Sequence, residues 1–336
     1  MALALAGLGA GTPAAGAATI TVTVQNDPAG STCPGPNCSL RQAATTATPG
    51  ETVSLPAGTY TLSQGQISVD KALIFAGAGA GSTTVTTSTT ARLFFVGTNG
   101  HVTFTGITFT GGHAPSTPGN PGTGGAIDNR GGVSLTRDAF VSNTADGAAP
   151  SLPGFGGPGG QGGAVFSRGK TTISQCSFSG DVAGGGGVGS TTNGFGGSGG
   201  AIYSDGVLGV TRSSFDNETA QAGTTAAGHT GGVGGSGGAI ISDGGTVRIS
   251  STTFGAAHVN TAAGGATAPE SGFRFASGGA ISASNTDLRL STDRFVANEA
   301  GGGVGTSPST FGHGGEGGAL WADAGRTSIA GTTFGS

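Results

Sequence analysis

Charge is scarce in this chain. Asp, Glu, Lys and Arg make up 9 % of 336 residues, where about 25 % is ordinary. Lys and Arg together number 13. That is too few for the basic clusters that neutralise phosphate, so general nucleic-acid binding is excluded. No apolar run approaches the ~18–20 residues of a membrane span. The 3 cysteines form neither a CxxC pair nor a Cys/His zinc spacing, which excludes the usual metal clusters. A strict Gly-X-Y period is missing, and collagen with it. Charge-driven disorder is excluded too, because the net charge is only −4 and aliphatic residues recur regularly.

Glycine is abundant, at 73 residues. Each glycine inside a helix costs roughly 1 kcal/mol, so coiled coils and helix bundles are excluded. A core must come from short strands joined by turns that glycine permits. At the start, the apolar stretch 2–10 and Ala15-Gly16-Ala17 look like the back half of a secretory signal peptide, without the basic residues that usually open one. We expect a leader over 1–18 and export. Cys33 and Cys38, five apart in CPGPNC, can close a small disulfide loop. Cys176 lies in an apolar pattern and reads as a buried free thiol.

Internal repetition decides the fold. Gly-Gly-Ala begins at Gly124, Gly162, Gly199, Gly237, Gly278 and Gly317, at intervals of 38, 37, 38, 41 and 39. Each is followed by an aliphatic residue: Ile127, Val165, Ile202, Ile240, Ile281, Leu320. An alternating pair follows, such as Val133/Leu135 and Leu208/Val210, and then one phenylalanine per block: Phe140, Phe178, Phe215, Phe254, Phe295, Phe334. Spacing at i, i+2 indicates strands, since helices repeat at three and four. Each block predicts three short strands that cannot bury an apolar face alone, so the blocks must stack as coils. Like then lies over like at about 4.8 Å per coil. The expected fold is all-β: a right-handed parallel β-helix with an interior phenylalanine ladder and an aliphatic column. The alanine of each Gly-Gly-Ala is expected to point outward if the aliphatic residue points inward. About 16 residues per block remain, as in 147–161 and 184–198, and they are Gly-rich. They read either as limbs lying over the outer face, partly in polyproline-II form, or as unstructured loops.

From Cys38 the chain reads CSLRQA, and from Pro49 it reads PGETVSLPAGTYTL. This resembles the N-terminal cap of secreted bacterial right-handed parallel β-helix repeat proteins with a CSLREA-type motif. Gln42, Ala44 and Glu51 stand where that motif has Glu, Ile and Asp. The blocks around Ala201-Ile202-Tyr203 and from Phe140 to Ala145 resemble the family's repeats. The resemblance spans about residues 20–336. It implies an exported or surface protein and carries little about activity. Ser39 fits the N-cap of a short helix over Leu40–Ala47 that would close the first coil. The expected organisation is therefore a leader at 1–18, a cap with first coils at 19–75, and coils with Gly-rich loops at 76–336. The final coil shows no cap, which predicts self-association there or a longer natural chain.

Chemistry is thinner. Asn285-Thr286-Asp287 and Gly312-His313-Gly314 resemble two motifs of pectin-cleaving glycosidases. The acidic pair expected between them is missing, as is the closing Arg-Ile-Lys. Asp205, Asp243 and Asp323 share one block offset, where turn formation explains an aspartate. The histidines show no triad logic. Catalytic residues, metal ligands and cofactors are therefore not assigned. Candidate ligand-binding residues are the outward aromatics after the aliphatic column, Phe166, Tyr203 and Trp321, able to stack on sugar rings. Arg248 and Arg289 are further candidates, on the second strand of their blocks and pointing outward in neighbouring coils. Covering by the Gly-rich segments is the plainer alternative for the aromatics, and solvation for the arginines. The sequence thus leads to an exported or cell-surface protein with a structural, adhesive or glycan-binding role. Its expected partner is a polysaccharide or cell-wall glycan. The competing expectation is a lyase or hydrolase acting on acidic polysaccharide.

Overall fold

The computed structural model describes residues 18–152, 154–190, 192–224, 233–264, 276–301 and 316–335. The leader expected at 1–18 thus lies almost wholly outside the described residues.

Four parallel sheets run the length of the molecule, with ten, nine, eight and six strands. One turn of the spiral shows how they arise. Ile127–Asn129 lies in the eight-stranded sheet, Gly132–Thr136 in the ten-stranded, Ala139–Val141 in the nine-stranded and Thr144–Ala145 in the six-stranded. Each strand pairs in register with its counterpart one block later: Ile127 with Val165, Val133 with Thr171, Phe140 with Phe178 and Thr144 with Val182. Successive parallel strands joined by crossovers of one hand make a right-handed parallel β-helix. The repeat predicts three strands per coil, and the structure has four. The fourth is two or three residues long, and in most coils its one buried residue is an alanine such as Ala145, Ala183 or Ala220. A single alanine offers no alternation for a sequence pattern to reveal.

The phenylalanines form the ladder that the repeat predicts. From Phe109 through Phe140, Phe178, Phe215, Phe254 and Phe295 to Phe334, successive ring centroids lie 5.0, 4.6, 4.6, 5.0, 4.7 and 4.8 Å apart, with the rings stacked nearly parallel. The aliphatic column runs beside it, fully buried from Ile127 to Ile281. The alanines of Gly-Gly-Ala correct an expectation: Ala126, Ala164, Ala201, Ala239 and Ala280 lie in the core beside the aliphatic residues, not outside. The first glycine of each triplet is left-handed, for example Gly124 at φ 58° and Gly199 at φ 67°. That turn interrupts the two-residue alternation, so alanine and aliphatic residue can both face inward.

At the first coil, the helix Leu40–Thr46 buries Leu40, Ala43 and Ala44, and Ser39 caps it by accepting from the Gln42 N–H. Its Arg41 grips Asp27 through two guanidinium nitrogens at 2.9–3.1 Å. Cys33 and Cys38 are disulfide-bonded and Cys176 is free and buried.

The Gly-rich segments, where described, are limbs packed against the coils. Gly157 N–H donates to the Gly187 carbonyl at 2.7 Å, Gly186 N–H to Phe195 at 2.8 Å and Phe195 N–H to Gly157 at 3.0 Å. Bonds therefore run within a coil and between coils. Just before the Gly-Gly-Ala triplets, single bridges link Thr123, Gln161, Ser198, Ser236, Ser277 and Glu316 in parallel. Among the described residues no helix is long and apolar enough to cross a membrane.

Candidate functional site

The outward positions of the eight-stranded sheet line up as Phe95, Asp128, Phe166, Tyr203, Ile241, Ser282 and Trp321. The row has a closed half and an open half.

In the closed half, Asp128 is 2 % exposed. Arg130 Nε approaches one of its oxygens at 2.6 Å, while Thr123 Oγ1 donates to the other at 2.9 Å and Arg92 Nη2 lies 3.5 Å away. Arg92 also donates to the Thr123 and Gly124 carbonyls of the returning limb, which ties that limb down. Burial, the largest influence, lowers the pKa of Arg92, and the Asp128 charge opposes the shift. Phe166 is fully covered. The Arg130 and Arg168 guanidinium carbons lie 4.7 and 5.3 Å from its ring centroid, and Tyr203 stacks on it at 5.1 Å and 16°. The exposed sugar platform expected at Phe166 is thus not available. Guanidinium groups are attracted to the face of an aromatic ring, and Phe166, held between these arginines and Tyr203, serves as the underlayer that orients Tyr203.

In the open half the row borders a cavity of about 540 Å³. That is within the ~300–1,000 Å³ of small-molecule pockets. Tyr203, Ile241, Ser282 and Trp321 border it on the sheet, and Phe195 and Val233 come from the Gly-rich limbs. Asp243, Asp323 and Glu316 also line it, and neither Lys nor Arg is among its described lining residues. The Tyr203 hydroxyl is pushed up to about 12, first by burial and then by the charges of Asp243 and Asp205. It therefore remains a hydrogen-bond donor across the ordinary pH range. Ser277 Oγ lies 3.2 Å from Ser282 Oγ and closes one stretch of wall.

The two arginine candidates lie on the second-strand sheet, as the repeat predicts. Arg248 and Arg289 are neighbours in register on the ten-stranded sheet, exposed, with Arg289 Nη2 at 3.4 Å from Asp287. The structure does not bring them to the aromatic row. Asp205 faces Arg168 at 3.2 Å. Thr286 is buried and donates to neighbouring backbone, a structural use of the Asn-Thr-Asp stretch. Gly312-His313-Gly314 lies outside the described residues. Among the described residues no three His, Cys, Asp or Glu side chains converge as a metal site would require. Arg92 and Thr123 carry no repeating signal in the sequence, and Arg130 stands at the turn offset shared by Asp205 and Asp243, where a polar residue has a simpler explanation.

No family model matches the chain, and neither does any curated protein. Among solved structures, a PL6 family alginate lyase, AlyGC, aligns with a TM-score of 0.40 at 12 % identity, over 95 % of this chain and 39 % of the lyase. ORF18 of Geobacillus virus E2 aligns with a TM-score of 0.30 at 9 % identity, over 88 % of this chain and 57 % of that one. The chain thus spans about two fifths of the lyase and just over half of the viral protein. By its own sheets, the molecule belongs to the class of parallel β-helix proteins. Within that class it is marked by hydrogen-bonded glycine limbs and an acidic, aromatic-lined cleft.

Proposed function

We propose that the chain is an exported or cell-surface scaffold that binds a glycan along its open cleft, in a structural or adhesive role. One observation carries this reading. Tyr203 and Trp321 stand in a single outward row three coils apart, about 14 Å at the usual strand spacing, beside a cavity rimmed by carboxylates. Aromatic faces stack on sugar rings, and carboxylates accept from hydroxyl and amino groups. Because its described lining carries three carboxylates and no Lys or Arg, a neutral or amine-bearing glycan suits it better than a uronate. The disulfide between Cys33 and Cys38 fits an oxidising compartment outside the cytoplasm.

Retention on neutral, amine-bearing and uronate oligosaccharides tests the reading. Binding to the first or second class should weaken about tenfold in Tyr203→Ala and in Trp321→Ala, the loss expected when stacking of ~0.5–1.5 kcal/mol goes together with buried area. Retention that ignores both substitutions, or preference for uronates, would overturn the cleft assignment. Release of shortened glycan that stops in Asp243→Asn would instead favour the enzymatic alternative.

A further inference from the structure

Where the nine-stranded sheet turns into the six-stranded one, a ladder of side chains runs up the corner. Each side-chain oxygen accepts from the backbone N–H of the corresponding residue one coil earlier. Gly112 N–H donates to Asn143 Oδ1 at 2.9 Å, Asn143 N–H to Asp181 Oδ1 at 2.8 Å, Asp181 N–H to Glu218 Oε2 at 2.8 Å, and Glu218 N–H to Asn260 Oδ1 at 3.0 Å.

The asparagines use their second polar atom in one consistent way. Asn143, Asn260 and Asn298 donate Nδ2–H to the carbonyls of Phe109, Phe215 and Phe254, one coil earlier, at 3.1, 3.1 and 3.3 Å. By register, the carbonyls in this position for Asp181 and Glu218 are those of Phe140 and Phe178. Here the rung is a carboxyl group. Asp181 Oδ2 and Glu218 Oε1 are fully buried and have no hydrogen-bond partner as acceptors. An ionised oxygen there would face another acceptor in a dry corner, an arrangement that costs far more than a missing hydrogen bond.

We propose that Asp181 and Glu218 are carried as neutral carboxylic acids whose O–H groups donate to the Phe140 and Phe178 carbonyls. They fill two rungs of an asparagine-built ladder and make this corner a proton-loaded, alkali-sensitive seam. The proton does what the asparagine N–H does on the other rungs. Burial raises both acids, Asp181 to about 7 and Glu218 well above its ordinary value, and the Asp181 charge adds to the push on Glu218. The other charged group acting on the pair is Asp216, which His258 Nδ1 approaches at 2.7 Å. Asn143 and Asn260, above and below, are neutral. The limbs pack on this sheet through Gly163 and Gly200, where an added Cβ would meet the nitrogens of Val182 and Thr219 at 2.4 Å.

The sign follows from the raised folded values. The stabilisation is complete below the unfolded carboxyl range. It is lost as pH rises from there through about 7 for Asp181, and further for Glu218. Each acid costs the folding equilibrium about tenfold per pH unit across its own window.

The test compares urea midpoints of the whole chain at about pH 5 and about pH 8.5. The wild type should lose midpoint on going to the higher pH. Asp181→Asn with Glu218→Gln supplies permanent donors and should lose distinctly less. Equal losses in the two proteins would overturn the proposal. If the double variant does not fold, infrared spectroscopy of the wild type decides. A protonated-carboxyl C=O band must be present at neutral pH and decline in alkali, and its absence refutes the assignment. A midpoint lowered by chelator and restored by Ca²⁺ or Mg²⁺ would show a cation in place of the two protons, again overturning it.

Discussion

Asp138 and Asp181 are both buried aspartates at corners of the same spiral, and the partners of their oxygens set them apart. Asp138 accepts at both oxygens, from Ile107 N–H at 2.8 Å and from Thr136 N–H at 2.9 Å. Asp181 accepts at one and leaves the other facing a place where the ladder needs a donor. An amide should therefore act oppositely at the two sites. Asp138→Asn sets its NH₂ against the Thr136 N–H, and we expect a loss of ~1–3 kcal/mol in urea unfolding near neutral pH. Asp181→Asn should be tolerated under the same conditions. Burial raises Asp138 to about 7. Its contribution therefore also declines as pH rises from the ordinary carboxyl range through that value. Similar losses in both variants would show that the free oxygen of Asp181 is not short of a proton. The ladder could have been found in the sequence. Asn143, Asp181, Glu218 and Asn298 all stand three residues after the ladder phenylalanine. Each asparagine or aspartate alone reads as a turn former and Glu218 as a surface charge, and the insertion after Phe254 displaces Asn260, which hides the column.

Among the elements, the glycine limbs explain the composition. Their backbones approach so closely that a Cβ on Gly186 would lie 2.0 Å from the Gly157 carbonyl oxygen, and one on Gly197 2.1 Å from that of Ala183. Gly209 differs: it sits on the outer face of the ten-stranded sheet, and an added Cβ would meet only Thr172 Cγ2 at 3.9 Å. Gly186→Ala should thus lower the thermal midpoint measurably, because two backbones must separate. Gly209→Ala should leave it unchanged or raise it, with a gain in stability of up to ~1 kcal/mol through reduced freedom of the unfolded chain. Equal responses would mean that the limbs yield at no cost. The sequence left limbs and loose loops as equal readings. Composition reports that glycine is permitted, while hydrogen bonds between segments some forty residues apart decide whether it is required.

For the whole molecule, the phenylalanine ladder sets the stacking of the coils. Phe215 lies between Phe178 and Phe254 at 4.6 and 5.0 Å, fully buried. Phe215→Ala should cost ~3–5 kcal/mol in urea unfolding, the range for truncating a buried phenylalanine. Phe195→Ala, on an exposed limb ring, should leave folding nearly unchanged. If both variants unfold alike, the ladder is not the central support of the spiral.

The sequence by itself determined the spiral, its register, the phenylalanine and aliphatic columns and the helical cap. These depend on periodicity, and a coil that repeats every 37 to 41 residues writes its core into each block. Tertiary structure alone decided the fourth strand, the inward alanines and the covering of Phe166. Burial of an outward residue depends on what the neighbouring limb and the next coil's charges place over it, and no residue's own block contains that information.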